Sequence, residues 1–449
     1  LRLTFGVNGG VIHQTTGRCD WQDRGGRVDG LCAAHLFETK TTGQKALYGF
    51  ALHLPEGCDL RPLEKPLFSG FQAEMMLPPG QTAVFEKKVW VDSIRRGDQD
   101  AGTILLLEKA LQIARALPDF ENLLKSNTDH YAALWRTADV EIEGDPINQQ
   151  GIRYCIFQLH QTYRGFDGRN NIGAKGLTGE AYNGHAFWDT ETYCLPYYLL
   201  NDVKAARNLL LFRYHTLPQA RERAGQLDCK GACYPIATLN GKEACTLWQH
   251  ASLQMQPSTS VAYAIWNYHH LTGDDTFLFR EGIEMLTEIS RYCASRGNWN
   301  QDRTAYGYYG VMGPDEFHMM VNNNYYTNLL GKKTMEFTLH VLARMETEAP
   351  KAFQAFCEKM AVTPKERADW AACSKAMLLK QDAHLVFEQH EGYFSLPHID
   401  IHTIPQADFP LYSHWSYDRI YRTDMIKQPD VLMAMFLYPG DYTPVETAA

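Results

Sequence analysis

The chain has 449 residues, of which 45% are hydrophobic and 21% charged, with a formal net charge of −9. At about 100–200 residues per domain the length predicts two or three domains, and the composition is ordinary for a globular protein with a large core. The acidic balance argues against a nucleic-acid binder, which would carry a basic face, and no run of about 18 apolar residues is present to cross a membrane. The eleven cysteines are scattered. Cys229 and Cys233 are the closest pair, and no second pair completes a zinc site, so reduced thiols in a cytoplasmic protein are expected. The opening LRLTFGVNGG has no charged leader followed by an apolar run. It starts without Met, directly in strand-like sequence, so a piece of a longer chain is expected.

Residues 1 to about 100 read as strands. ALYGFALHLP, FQAEMMLPP and TAVFEKKVWVDS are short apolar runs broken by Gly, Pro and Asp, the rhythm of an antiparallel sandwich. The chain then passes through RRGDQD into a helical stretch. TILLLEKALQIARALP places Leu106, Ala110, Ile113 and Leu117 three and four residues apart, which predicts an amphipathic helix ended by Pro118. A second helix is expected over 119–137. From about Pro146 the periodicity is mainly helical, as in INQQGIRYCIFQLHQTY, SVAYAIWNYHHLTGD and TNLLGKKTMEFTLHVLARM. LTGD and SRGN read as helix stops with Gly past the end. The loops between helices are rich in polar and aromatic residues, and long loops on a rigid scaffold are where sites are built.

Three segments carry candidate chemistry. In Gly313-Pro314-Asp315-Glu316-Phe317-His318, Gly-Pro enforces a turn and two carboxylates follow. A carboxyl donates a proton well near neutral pH when an apolar wall and a neighbouring anion favour its protonated form, and Phe317 and Asp315 are candidates for both around Glu316. The plainer reading is a helix cap before NNNYYTN. In GHAFWDTE, Trp188 and Asp189 can supply an aromatic face and a bidentate acceptor for sugar hydroxyls; a buried Trp and a capping Asp is the alternative. Lys427-Gln428 can donate to hydroxyls, or can be a solvated first turn.

NIGAKGLTGEAYNGHAFWDTE, NLLLFRYHTLPQARERA, YGVMGPDEFH and IKQPDVLMAMFL resemble, in order and approximate spacing, glycoside hydrolase family 65. That family holds maltose, trehalose, kojibiose and nigerose phosphorylases and a few hydrolases. The resemblance runs from about residue 140 to the end. It implies a mainly α protein, an (α/α)6-type helical barrel over 139–449, incomplete at its C-terminal end. Before the barrel it implies part of an antiparallel β-sandwich over 1–102 and a helical linker over 103–138. It implies Glu316 as general acid, with Trp188, Asp189, Lys427 and Gln428 holding the non-reducing glucose. It implies no metal and no cofactor, with inorganic phosphate as co-substrate beside a disaccharide, and members are commonly homodimers.

The implied chemistry is economical in groups. An inverting hydrolase needs an acid and a base about 6.5–9.5 Å apart. A phosphorylase needs only the acid, because phosphate arrives anionic and attacks the anomeric carbon itself. The product from an α-glucoside is then β-glucose 1-phosphate. The sequence departs from the resemblance where maltose phosphorylases carry a Glu-Ile-His-like triplet on the acceptor side; here the residues are Gln254-Met255-Gln256. Gln254, Gln256 and His318 are therefore the acceptor-side candidates, and a kojibiose-like or nigerose-like disaccharide is expected. The family's phosphate-binding Ser and His, or the base of its hydrolases, would lie beyond residue 449. A family hydrolase of trehalase or α-glucosidase type and a non-catalytic sugar-binding protein are the two other readings.

Overall fold

The computed structural model describes residues 1–14, 16–95, 102–179 and 181–448. Most of the RRGDQD stretch and Glu180, inside the first of the motifs above, lie outside the described residues. The chain divides into two compact units, Leu1–Glu141 and Ile142–Ala449.

The N-terminal unit is an antiparallel β-sandwich. Strands β1 (Arg2–Asn8), β6 (Phe68–Glu74) and β5 (Asp59–Lys65) form one sheet in the order β1-β6-β5. Strands β2 (Trp21–Asp29), β3 (Cys32–Thr39), β4 (Lys45–His53) and β7 (Glu86–Ile94) form the other in the order β2-β3-β4-β7. The β3 sequence CAAHLFET is apolar on both faces, and both are covered. Ala33 and Phe37 join Val7, Phe50, Leu52 and Phe71 between the sheets. Ala34 and Leu36 point the other way, onto Leu106, Leu107, Ala110 and Ala114 of helix α1 (Thr103–Ala116). Of the predicted stripe, Leu106 and Ala110 are buried on the four-stranded sheet together with Leu111, whereas Ile113 is only partly buried and Leu117 lies just past the end of the helix. Gly49 of β4 makes that approach feasible: a Cβ there would stand 2.7 Å from the Ala110 carbonyl oxygen. Helix α2 (Phe120–Ala138) follows, capped by Asp119, whose side chain accepts from Asn122 N.

The second unit is helical. In chain order it contains α3 (Pro146–Thr162), α4 (Leu195–Asn201), α5 (Val203–His215), α6 (Leu217–Gln226), α7 (Trp248–Leu253), α8 (Gln256–Thr272), α9 (Asp275–Phe277), α10 (Ile283–Arg296) and α11 (Tyr325–Glu348). Then come α12 (Pro350–Met360), α13 (Pro364–Lys375), α14 (Leu411–His414), α15 (Tyr417–Tyr421), α16 (Asp430–Leu437) and α17 (Pro444–Ala448). Helix α5 packs on α8, α8 on α11 and α11 on α16, while α10 and α13 also cover α11, as in an (α/α)6-type barrel. Its main core includes Tyr198, Leu209, Val261, Ile289, Tyr308 and Met335, with smaller apolar clusters around Tyr326 and Phe317. Gly273 ends α8 in the left-handed conformation the LTGD signal predicts, at φ 66°. Gly297 after α10 is different: its backbone is extended, and a Cβ would stand 2.2 Å from the Tyr306 hydroxyl, so space rather than handedness requires glycine there. No described helix is long and apolar enough to cross a membrane, and the eleven cysteines are free.

Candidate active site

The turn at residues 313–318 and the loop at 426–430 are more than a hundred residues apart and are joined by one buried carboxylate. Asp315 Oδ1 accepts from the backbone N–H groups of Lys427 (2.9 Å), Gln428 (3.4 Å) and Phe317 (3.1 Å). Asp315 Oδ2 meets His318 Nδ1 at 2.7 Å and accepts from Gln389 Nε2 at 3.1 Å. A second buried carboxylate, Asp430, accepts from Asp315 N at 2.8 Å and from Asn324 Nδ2 at 2.7 Å. Burial first, and the charge of Asp315 second, hold the Asp430 carboxyl well above the usual range. Asn324 also caps α11, accepting from Thr327 N. The glycine of the Gly-Pro pair is needed for this proximity, because a Cβ at Gly313 would stand 2.3 Å from Asp430 Oδ2.

This clamp brings Lys427 and Gln428 to Glu316. Lys427 Nζ and Glu316 Oε2 form an ion pair with both side chains about one-third exposed, at 35% and 34%. Glu316 N donates to Gln428 Oε1 at 3.1 Å. Lys427 also lies over the Tyr412 ring, 5.4 Å from its centroid. The neighbours expected to act on Glu316 are engaged elsewhere. Phe317 packs with Ile404, Leu411, Trp415 and Ile420, and the Asp315 carboxylate faces the clamp. The group that meets the Glu316 carboxylate is Lys427.

Trp188 and Asp189 are positioned by a different device. Glu191, two residues on, makes a bidentate ion pair with Arg213 of α5, with contacts of 2.7 and 2.8 Å and both side chains essentially inaccessible. The same guanidinium donates to the Phe187 carbonyl at 3.3 Å. Ala186 is tied to Thr238 by a two-way backbone bridge, and a π-helical turn runs from Thr190 to Cys194, a local distortion often found at functional sites. Trp188 rests against Tyr193 and Tyr326, with centroids 5.9 and 6.2 Å away. Asp189 is exposed, although the protein packed around its carboxyl partly desolvates it. Those surroundings raise its carboxyl above the usual range, and the charge of Glu316 adds to the effect, which places the two acids within electrostatic reach. Burial, with Asp189 and Asp430, pushes the Tyr193 hydroxyl up to about 12.

Glu316, Asp189, Lys427 and Gln428 are therefore brought together, with Trp188 next to Asp189. The acceptor-side candidates fare differently. His318 is 2% exposed, and its ring nitrogens are taken by Asp315 and by the Thr423 carbonyl at 2.9 Å, so it has none left for a sugar. Gln256 is 1% exposed and donates to the Gly313 carbonyl at 3.1 Å. Gln254 donates to Met312 Sδ at 3.6 Å and meets His250 Nδ1 at 3.1 Å. Sequence reading missed His250, the clamp role of Asp315 with Asp430, and Arg213. Only Arg213 had a local signal, an arginine inside the motif NLLLFRYH with no solvent-facing periodicity to explain it.

A carboxyl paired with lysine, beside a glutamine and within electrostatic reach of a Trp-Asp dipeptide, gathers in one helical unit the groups that the family resemblance implies. The model of the glycosyl hydrolase family 65 central catalytic domain matches residues 153–449, and the chain belongs to that family. It is 37% identical over 345 residues to a maltose phosphorylase of Bacillus subtilis, covering 76% of this chain and 45% of the relative. It is 36% identical over 352 residues to an alpha,alpha-trehalose phosphorylase of Thermoanaerobacter brockii (78% and 45%). It is 34% identical over 337 residues to a kojibiose phosphorylase of Caldanaerobacter subterraneus (72% and 44%). A solved structure described as "Putative kojibiose phosphorylase from human microbiome" superposes with a TM-score of 0.90 at 42% identity, covering all of this chain and 59% of that one. The chain thus spans about half the length of the curated relatives it matches.

Proposed function

We propose that this chain carries the central part of an inverting disaccharide phosphorylase, with Glu316 as its general acid. The observation that carries the reading is the Glu316 carboxyl, one-third exposed, on Lys427 and within reach of Asp189. Trp188, Asp189, Lys427 and Gln428 hold the non-reducing glucose. Glu316 gives its proton to the glycosidic oxygen as the bond to the anomeric carbon breaks. Phosphate attacks that carbon from the opposite face, yielding β-glucose 1-phosphate and a free sugar. Lys427 pairs with the Glu316 carboxylate in the absence of sugar; substrate entry moves its ammonium towards a sugar hydroxyl, and the carboxylate, released from the pair, takes up from the incoming dihydrogen phosphate the proton it passes to the glycosidic oxygen. No protein base is required. Within this class a kojibiose-like disaccharide is our favoured substrate, since Gln254 and the buried Gln256 stand where maltose phosphorylases carry an acid and a histidine, so neither of those groups is offered to an acceptor here. The likeness to kojibiose, maltose and trehalose phosphorylases alike supports the class rather than the linkage.

The test is sugar release from kojibiose, nigerose, maltose and trehalose by the full-length protein, with and without inorganic phosphate. Release that requires phosphate and yields β-glucose 1-phosphate is expected, and Glu316→Gln should lower it by orders of magnitude while leaving sugar binding. Equal release without phosphate would establish a hydrolase instead.

A further inference from the structure

His250 lies on the short helix α7, whose C-terminal end is bonded to the turn that carries Glu316. Its imidazole is half-buried, close enough to Glu316 and Lys427 for both charges to act on it. The end of α7 is tied to the turn that precedes the acid. Met312 N donates to the Leu253 carbonyl at 3.0 Å, Gln254 and Met312 form an isolated parallel bridge, and Gln256 Nε2 donates to the Gly313 carbonyl at 3.1 Å. His250 therefore has a fixed place relative to residues 312–316. The partners of Gln254 also select one tautomer of the ring. The Gln254 side chain touches Met312 Sδ at 3.6 Å and His250 Nδ1 at 3.1 Å. A thioether sulfur only accepts, so the amide nitrogen is the atom facing both groups. Nδ1 is then the acceptor, and the ring proton sits on Nε2.

We propose that His250, held in the Nε2–H form by Gln254, donates to a hydroxyl of the sugar released beside Glu316 and so reads the acceptor. The inference rests on the disaccharide-phosphorolysis reading and names the residue that selects its second sugar. Burial, against the opposing charge of Glu316, keeps this imidazole below its ordinary range and so uncharged near neutral pH. A neutral donor gives a directional bond to a hydroxyl and adds no second cation to compete with Lys427 for the Glu316 carboxylate. His318 cannot do this, since both of its ring nitrogens are bonded within the protein.

The experiment is synthesis by the full-length protein from β-glucose 1-phosphate, with glucose and its 2-, 3-, 4- and 6-deoxy analogues as acceptors. For His250→Phe the acceptor KM should rise about tenfold, the loss of one directed hydrogen bond, while the KM for β-glucose 1-phosphate stays within about twofold. One deoxy analogue should be penalised by the wild type and no longer by the variant. His250→Gln, which restores an amide donor, should recover part of the loss. The proposal is overturned if both KM values rise together, or if every deoxy analogue keeps its wild-type penalty in His250→Phe. If the wild type makes no disaccharide, the phosphorylase reading fails, and His250 is judged by calorimetric titration of glucose. Weaker binding to His250→Phe than to wild type then supports it, and equal binding overturns it.

Discussion

Two carboxylates of the C-terminal unit are paired with cations in opposite ways. Glu191 and Arg213 are 1% and 0% exposed and share two parallel hydrogen bonds. Glu316 and Lys427 are about one-third exposed and share a single contact. A buried bidentate pair cannot give up one partner without stranding a charge in a dry core, so it fixes geometry. A half-exposed pair contributes little to stability and can exchange its partner for a ligand. The first is suited to hold the Trp188–Asp189 segment in place, and the second is suited to open. If Glu316 is the acid, as proposed, its place in the weaker pair lets chemistry proceed without disturbing the fold.

The largest effect that would test this contrast is on rate. Glu316→Gln should lower phosphorolysis by about 10²–10⁴-fold, measured as initial rate, with a melting temperature close to wild type. A melting temperature that fell with the rate would mean that the exposed pair is structural after all. Arg213→Met should cost about 3–5 kcal/mol of stability in denaturant unfolding, because it leaves the Glu191 carboxylate buried and unpaired. A loss below about 1 kcal/mol would erase the distinction between the two pairs.

A third effect concerns the neighbourhood of the clamp. Burial, with the nearby His318, depresses the His390 imidazole from 6.5 to about 4. His390 is neutral in the fold, and the unfolded chain takes up its proton first. Stability is therefore lost as pH falls from about 6.5 towards about 4, by about 3 kcal/mol in total. His390→Asn should flatten that part of the stability–pH curve, and an unchanged acid limb would contradict the assignment. The smallest effect is the sharpest for the comparison: Lys427→Met should change stability by less than about 1 kcal/mol while raising the KM for the disaccharide.

The pieces of the candidate site could be picked out in the chain because they are short and local, while the roles proposed for them come from the family resemblance. GPDE, WD and KQ each occupy neighbouring positions, and sugar chemistry needs those residue types. The same local view misread their neighbours. Phe317 and Asp315 adjoin Glu316 in sequence, yet one side chain enters an apolar cluster with Trp415 and the other binds the 427–428 backbone. His318 looked available because it ends the motif, and it is buried because the Thr423 carbonyl lies across from it. In the N-terminal unit, the periodicity of 103–117 revealed a helix with an apolar stripe, although not that the stripe lies on the sheet through Ala110 at Gly49.

The sequence by itself determined the kinds of element and the chemical groups available, because hydrophobic period, turn residues and functional side chains are properties of a few adjacent residues. Only the tertiary structure decided which of those groups meet. Contacts such as Asp315 with Lys427 or Arg213 with Glu191 join residues 112 and 22 positions apart. No local pattern encodes them, because they arise from how the helices pack.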